Sequence, residues 1–290
     1  MTDIASPGHK LGQMLGNFLE EFFYIDLVRL CNKHGFYFDR KGPRPGVRGS
    51  KQGVIWKDKD GNKHNLDYVI EKDGSANDQG KPIAFIELAW RRYTKHSRNK
   101  TGEIEGALLH LRDTYPSCQF LGAILAGEYT EGGKNQLVSH NINLIHIPFS
   151  VLATCFISKG VDLSYPEKAP SSVKAAIVEH WEALSQNDIS DIEICLRNSI
   201  KEEYLLFRQK LERALLRKVL SLRILTLYGN ELVFSSIQEA ISAISELQED
   251  QPNDLRFIKF EILLRFTDGD KIDCTFHTKE ETLRFLNIFS

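Results

Sequence analysis

Apolar residues recur at Leu15, Leu19, Phe22, Phe23, Leu27 and Leu30 with the spacing of one helix face, and Gly35 stands where a left-handed cap would end that helix. The period then shortens to that of strands. Runs at 54–56 and 66–70 flank an Asp60-Gly61 turn and predict a hairpin, and a third run follows at 83–90. A second helix is predicted from Thr94 or Ser97 to just before Pro116, with Ile104, Leu108 and Leu111 on one face. Next come a strand at 118–127, a glycine-rich excursion at 127–135, a strand at 143–149 and a short helix at 150–158. This order predicts an α/β fold, a mixed sheet flanked by helices.

Two prolines and two serines in 165–172 mark a domain boundary, giving a first domain at 1–165 and a helical connector at 166–222. The connector holds helices at 173–184 and 192–220, the second long and charged enough for a spacer or a dimer contact. Residues 223–290 read as a small βαββα module: a strand at 223–228, a helix at 236–248, strands at 255–266 and 271–277, and a last helix that Thr278 opens with Glu281 at the capping-box position.

Composition changes this picture in two respects. The formal net charge is −2, so any affinity for nucleic acid must come from a local basic stripe rather than from the field of the whole protein. The five cysteines are odd in number and form no CxxC pair, which predicts free thiols in a reducing cytosol. The chain shows no N-terminal apolar signal and no apolar run of about 18 residues, and the expectation is a cytoplasmic protein with no membrane partner.

Two acids interrupt the apolar strands: Asp67 in LDYVI and Glu87 in AFIELAW. A buried carboxylate is costly unless something positive compensates it, and a divalent metal would do so. Arg91, Arg92, Lys95, His96, Arg98 and Lys100 follow at once, supplying the cations that a polyanion needs. Carboxylates for a hard cation and basic residues for phosphates are the minimum parts for metal-assisted phosphodiester cleavage. The loop at 41–51, KGPRPGVRGSK, reads as extended, mobile and basic; Arg44 and Arg48 could track a phosphate backbone, and a solvated connector is the equal alternative. Glu20 and Glu21 lie within the first helix; one faces solvent and the other could point toward the two acids. No HxxxH or CxxC pattern supports a zinc site, and neither a GxSxG elbow nor a GxxxxGK[ST] loop occurs.

The pattern of a glutamate-bearing helix, a strand with Asp67, a strand with Glu87, then a helix and two more strands resembles the PD-(D/E)xK nuclease superfamily, which includes many type II restriction endonucleases. The resemblance covers about 11–158. It departs from the family at Ala89, where members usually carry lysine, and at Leu66, where they carry proline before the aspartate. A relocated cation, a fold that has lost its chemistry, or a substitution of the motif lysine would each account for Ala89. The first is preferred because cations crowd the next ten residues, Lys95 being the first candidate and Lys100 the second, with Glu103 one turn beyond.

The resemblance implies a Mg²⁺-dependent endodeoxyribonuclease of restriction type acting on duplex DNA. Asp67, Glu87 and a backbone carbonyl near Leu88 would hold the metal, a lysine would orient the attacking water, and Glu20 would complete the outer shell. Arg91, Arg92, His96 and Arg98 would position DNA phosphates, and the products would be a 5′-phosphate and a 3′-hydroxyl. A homodimer would place two centres on a symmetric site, with the C-terminal module serving recognition or dimerisation. The rival is an inactive nuclease fold that binds DNA or assembles with partners; a toxin or antiphage nuclease acting on RNA or non-specific DNA would share the same centre.

Overall fold

Ser6 caps the first helix by accepting a hydrogen bond from the His9 N–H at 3.3 Å, Pro7 occupies the first turn, and Gly35 ends the helix at φ 76°. This helix, α1 (Pro7–His34), buries all six of the patterned apolar residues. The computed structural model describes residues 6–226, 231–247 and 258–290, without the side chain of His96. The ends of the strand expected at 223–228 and of the helix expected at 236–248 lie outside the described residues, as does the start of the strand expected at 255–266. The chain divides into two compact units, Met1–Glu212 and Arg213–Ser290.

In the first unit α1 is followed by β1 (Tyr37–Arg40), β2 (Val54–Lys57), β3 (Lys63–Leu66), β4 (Tyr68–Lys72), β5 (Lys81–Arg91) and α2 (Ser97–Thr114). Then come β6 (Phe120–Gly127), α3 (Glu131–Ser139), β7 (Asn143–Ile147), α4 (Phe149–Ile157), α5 (Ser171–Glu182), α6 (Gln186–Ser199) and α7 (Lys201–Leu215). Five strands form one mixed sheet in the order β1-β4-β5-β6-β7, antiparallel from β1 to β5 and parallel from β5 to β7. Every residue of β6 is buried, as a parallel strand covered on both faces requires. On one face Val69, Phe85, Leu121 and Leu125 pack with Ile104, Leu108 and Leu111 of α2 and Leu137 of α3. Toward α1, the Tyr68 hydroxyl donates to the Glu20 carbonyl.

Several expectations are corrected. The glycine-rich excursion contains helix α3, opened by the Thr130 side chain accepting from the Gly133 N–H at 3.2 Å. The strand expected at 66–70 is broken at Asp67: β3 pairs with β2 in a separate two-stranded sheet, while β4 joins the main sheet. The short edge strand β1 was hidden behind the C-cap. The long helix expected at 192–220 parts at Ile200 into α6 and α7, and through Glu212 the connector helices fall within the first unit. Cys155 and Cys195 are joined in a disulfide between α4 and α6, so free thiols remain at Cys31, Cys118 and Cys274.

The second unit contains β8 (Val219–Thr226), β9 (Glu231–Phe234), α8 (Ile237–Glu246), β10 (Phe260–Phe266), β11 (Lys271–Phe276) and α9 (Lys279–Ile288). Its antiparallel sheet runs β11-β10-β8-β9, one strand more than the sequence pattern indicates. Leu222, Ile224, Ile262 and Leu264 pack beneath Ile237, Ala240, Ile244 and Leu286 in a core of its own. Thr278 caps α9 by accepting from the Glu281 N–H, whereas the Glu281 carboxylate takes the N–H of His277. Among the described residues, no helix is long and apolar enough to cross a membrane.

Candidate active site

β4 and β5 pair with Tyr68 opposite Ile86 and Val69 opposite Phe85, and continuing that register by one residue sets Asp67 opposite Glu87. Directly opposed residues of an antiparallel pair point to the same face, so residues 20 apart in sequence share one spot. Asp67 stands at the bend between β3 and β4, and its Oδ2 accepts the Leu88 N–H at 2.6 Å. Glu87 is 7% exposed and makes no hydrogen bond and no ion pair among the described residues.

Burial raises the pKa of both carboxyls. For Asp67 the Leu88 N–H and the charges of Lys100 and Lys41 oppose that rise, while Glu20 adds to it. For Glu87 the charge of Asp67 adds to the burial effect and only Lys100 opposes it. Two crowded acids that cannot both stay ionised at low cost, one with no partner, are a donor set suited to a hard divalent cation. A hard divalent cation would be held by Asp67 and Glu87. Leu88 is fixed against Asp67 through its N–H, and its carbonyl belongs to the same strand segment.

Lys100 lies in the first turn of α2 and, among the described residues, is the cation whose charge acts on both acids. Its side chain is 24% exposed, and its closest ion-pair partner is Glu103 at 3.5 Å. A cavity of about 180 Å³ at Asp67 is lined by Asn17, Glu20, Glu21, Arg40, Lys41 and Tyr68. The charge of Glu20 acts on Asp67, while Glu21 pairs with Arg40 at 2.6 Å. Lys41 is exposed beside Asp67, and the sequence had placed it only within a basic loop.

Other expected residues are engaged elsewhere. Lys95 forms an ion pair with Glu167 on the surface, so of the two candidate lysines the fold brings Lys100 to the acids. Arg92 donates to the carbonyls of Leu163 and Tyr165 and lies over the Tyr165 ring at 3.7 Å, which removes it from a phosphate-binding role. Arg91 is half-buried and donates to the Trp90 carbonyl at 2.8 Å, while Arg98 is exposed. The side chain of His96 lies outside the described residues. Ala89 is buried in the same core cluster as Ile104 and Leu108, so position 89 brings no cation to the acids.

The loop at 41–51 is not a mobile phosphate tracker. Arg44 is 1% exposed and is gripped by Asp39 at 2.9 Å and Glu71 at 2.7 Å, with the Ser75 and Asp78 carbonyls taking its remaining N–H groups. Arg48 chelates Asp39 and donates to the Gly42 and Arg40 carbonyls. Burial would lower the Arg44 pKa, but hydrogen bonding to Glu71 and the charges of Glu71 and Asp39 outweigh it and raise it. Both arginines hold the loop to the sheet edge.

A second group, Asp58, Asp60 and His110, sets its ligand atoms within 4.8 Å of one another. Asp58 is already saturated: Oδ1 accepts the N–H groups of Asp60 and Asn62, and Oδ2 accepts from Asn62 Nδ2 and faces His64 Nε2 at 2.9 Å. These four contacts use the acceptor capacity of a carboxylate and organise the β2–β3 turn. His64 and Asn62 hold the Asp58 carboxyl well below its ordinary pKa. No family model, no curated protein and no solved structure matches this chain.

Proposed function

We propose that this protein is a Mg²⁺-dependent endonuclease of the PD-(D/E)xK type, hydrolysing phosphodiester bonds in duplex DNA, with restriction-type cleavage as its specific form. The observation that carries this reading is the unpartnered, buried Glu87 carboxylate set opposite Asp67 and within the field of Lys100. The mixed sheet, with one acid at the bend that leads into β4 and the other in the body of β5, supports it.

When bound, magnesium supplies the positive charge that lets both acids stay ionised, neutralises the phosphate and lowers the pKa of a water. Asp67 and Glu87 would hold it, and the Leu88 N–H fixes the orientation of the Asp67 carboxylate. The Lys100 ammonium orients the attacking water by hydrogen bonding and holds negative charge on the scissile phosphate, the role a lysine at position 89 has in the family. Attack in line with the leaving oxygen breaks the bond from phosphorus to the 3′-oxygen, which takes a proton and leaves a 5′-phosphate. Glu20 lies close enough to bias the protonation of Asp67. Lys41 and Arg98, both exposed, are the cations that would position DNA phosphates. A homodimer would cut both strands of a symmetric site.

Long duplex DNA incubated with and without Mg²⁺, beside a Glu87→Ala control, tests the proposal. Metal-dependent discrete bands that vanish in the control are expected. A smear would replace the restriction-type reading with a non-specific nuclease. DNA binding without any cleavage would replace it with the inactive fold, which Ala89 permits.

A further inference from the structure

Away from the acidic centre, helices α1, α6 and α7 enclose a pocket of about 350 Å³, within the size range of small-molecule sites. Four of its lining residues are cations, Arg29, Arg197, Lys201 and Arg208, against one carboxylate, Asp26. Asp26 is spoken for. It pairs with Arg197, accepts a hydrogen bond from the Tyr204 hydroxyl at 3.3 Å, and lies 3.9 Å from Arg29. Arg197 is held in place by that pairing and by the Phe22 ring, 4.8 Å from its guanidinium. Lys201 and Arg208 form no side-chain hydrogen bond or ion pair among the described residues. Like charges gathered in a concavity repel one another, a cost that an anion seated among them offsets.

The walls add a second requirement. Leu205, 41% exposed, lies on α7 between Lys201 and Arg208, so these three residues form one stripe at helical spacing. An ion with no apolar part would leave this stripe unused. We infer that the pocket binds a phosphate ester carrying an apolar or aromatic group, the chemistry of a nucleotide, with Arg29, Lys201 and Arg208 on the phosphate and Leu205 against the base. Asp26 is six residues from Glu20 on α1, a rotation of about 240° around the helix, so the pocket opens on another face than the acidic centre. The site is independent of the proposed cleavage reaction.

The phosphate could belong to a free nucleotide or to nucleic acid, and one experiment separates these sources. Calorimetric titrations of the full chain in EDTA would use AMP, ATP and a short DNA duplex, beside a Lys201→Ala/Arg208→Ala variant whose circular dichroism and melting temperature match the parent. Saturable nucleotide binding that weakens at least about tenfold in the variant supports a free nucleotide ligand. Duplex binding that weakens equally, with nucleotides silent and a salt slope reduced by about two, supports the same pocket as a backbone-phosphate site. A folded variant that binds all three probes like the parent overturns the inference, as does absence of binding by every probe. Should the double variant fail to fold, Arg208→Gln alone carries the same test, because the Arg208 side chain makes no internal ion pair among the described residues.

Discussion

Lys100 and Lys95 are five residues apart, yet only one faces the acids. Lys95 sits before the helix and turns to Glu167, whereas Lys100, a turn into α2, points its charge at Asp67 and Glu87. Lys100→Ala is therefore expected to lower the cleavage rate by about 10²–10⁴-fold, whereas Lys95→Ala changes it less than threefold, measured by single-turnover cleavage of a labelled duplex. The acids themselves couple stability to pH. Their pKa values are raised in the folded state, so the folded protein holds these protons more tightly than the unfolded chain. The stability they contribute is complete below the ordinary carboxylate pKa and is lost as pH rises through the raised values. In metal-free buffer the urea midpoint should fall between about pH 5 and about pH 8, and fall less in Glu87→Gln. Since metal binding displaces the same protons, the rise in melting temperature caused by Mg²⁺ should grow with pH over that interval.

The loop at 41–51 shows how one stretch of sequence can support opposite readings. Prolines, glycines and arginines suggest a solvated, mobile segment, but Asp39 on β1 and Glu71 on β4 turn Arg44 inward and make it the anchor of the sheet edge. Removing that arginine leaves the buried Glu71 carboxylate without its ion-pair partner and Asp39 with Arg48 alone, so Arg44→Met should destabilise the first unit by about 3–5 kcal/mol in urea denaturation. Helix α1, strands β5 and β6 and helix α2 were legible because their apolar periods are long and unbroken. Helix α3 was not, because its glycines outweigh its few apolar residues and the signal lay in the Thr130 cap. The two acids were legible as polar residues in apolar strands. The fate of each cation was not, because ion pairing depends on partners such as Glu167 and Glu71 that only the fold brings near.

Each unit has a core of its own, one including the residues packed between the mixed sheet and helices α2 and α3 and one beneath α8 and α9. The acids, Lys100 and Glu20 all belong to the first unit. A chain ending at Leu216 should bind Mg²⁺ with an affinity within about twofold of the full chain by calorimetry, and a larger loss would tie the metal site to the second unit. On the reading that the second unit serves recognition or dimerisation, the shortened chain should degrade long duplex DNA to a smear instead of discrete bands. Neither the boundary after Glu212 nor the extra strand β9 was legible, since α7 runs through the first and the second is only four residues long.

Asp67 lies in neither sheet: the residue before it closes the outer hairpin and the residue after it opens the main sheet. The carboxylate proposed to hold the metal is thus the pivot of a lever whose long arm is the β2–β3 hairpin, weighted by Trp56 against Phe85 and Tyr115. A body that grips the far end of that arm, a groove of DNA included, would transmit its pull to the metal through a single backbone bend, joining target engagement to the readiness of the scissors.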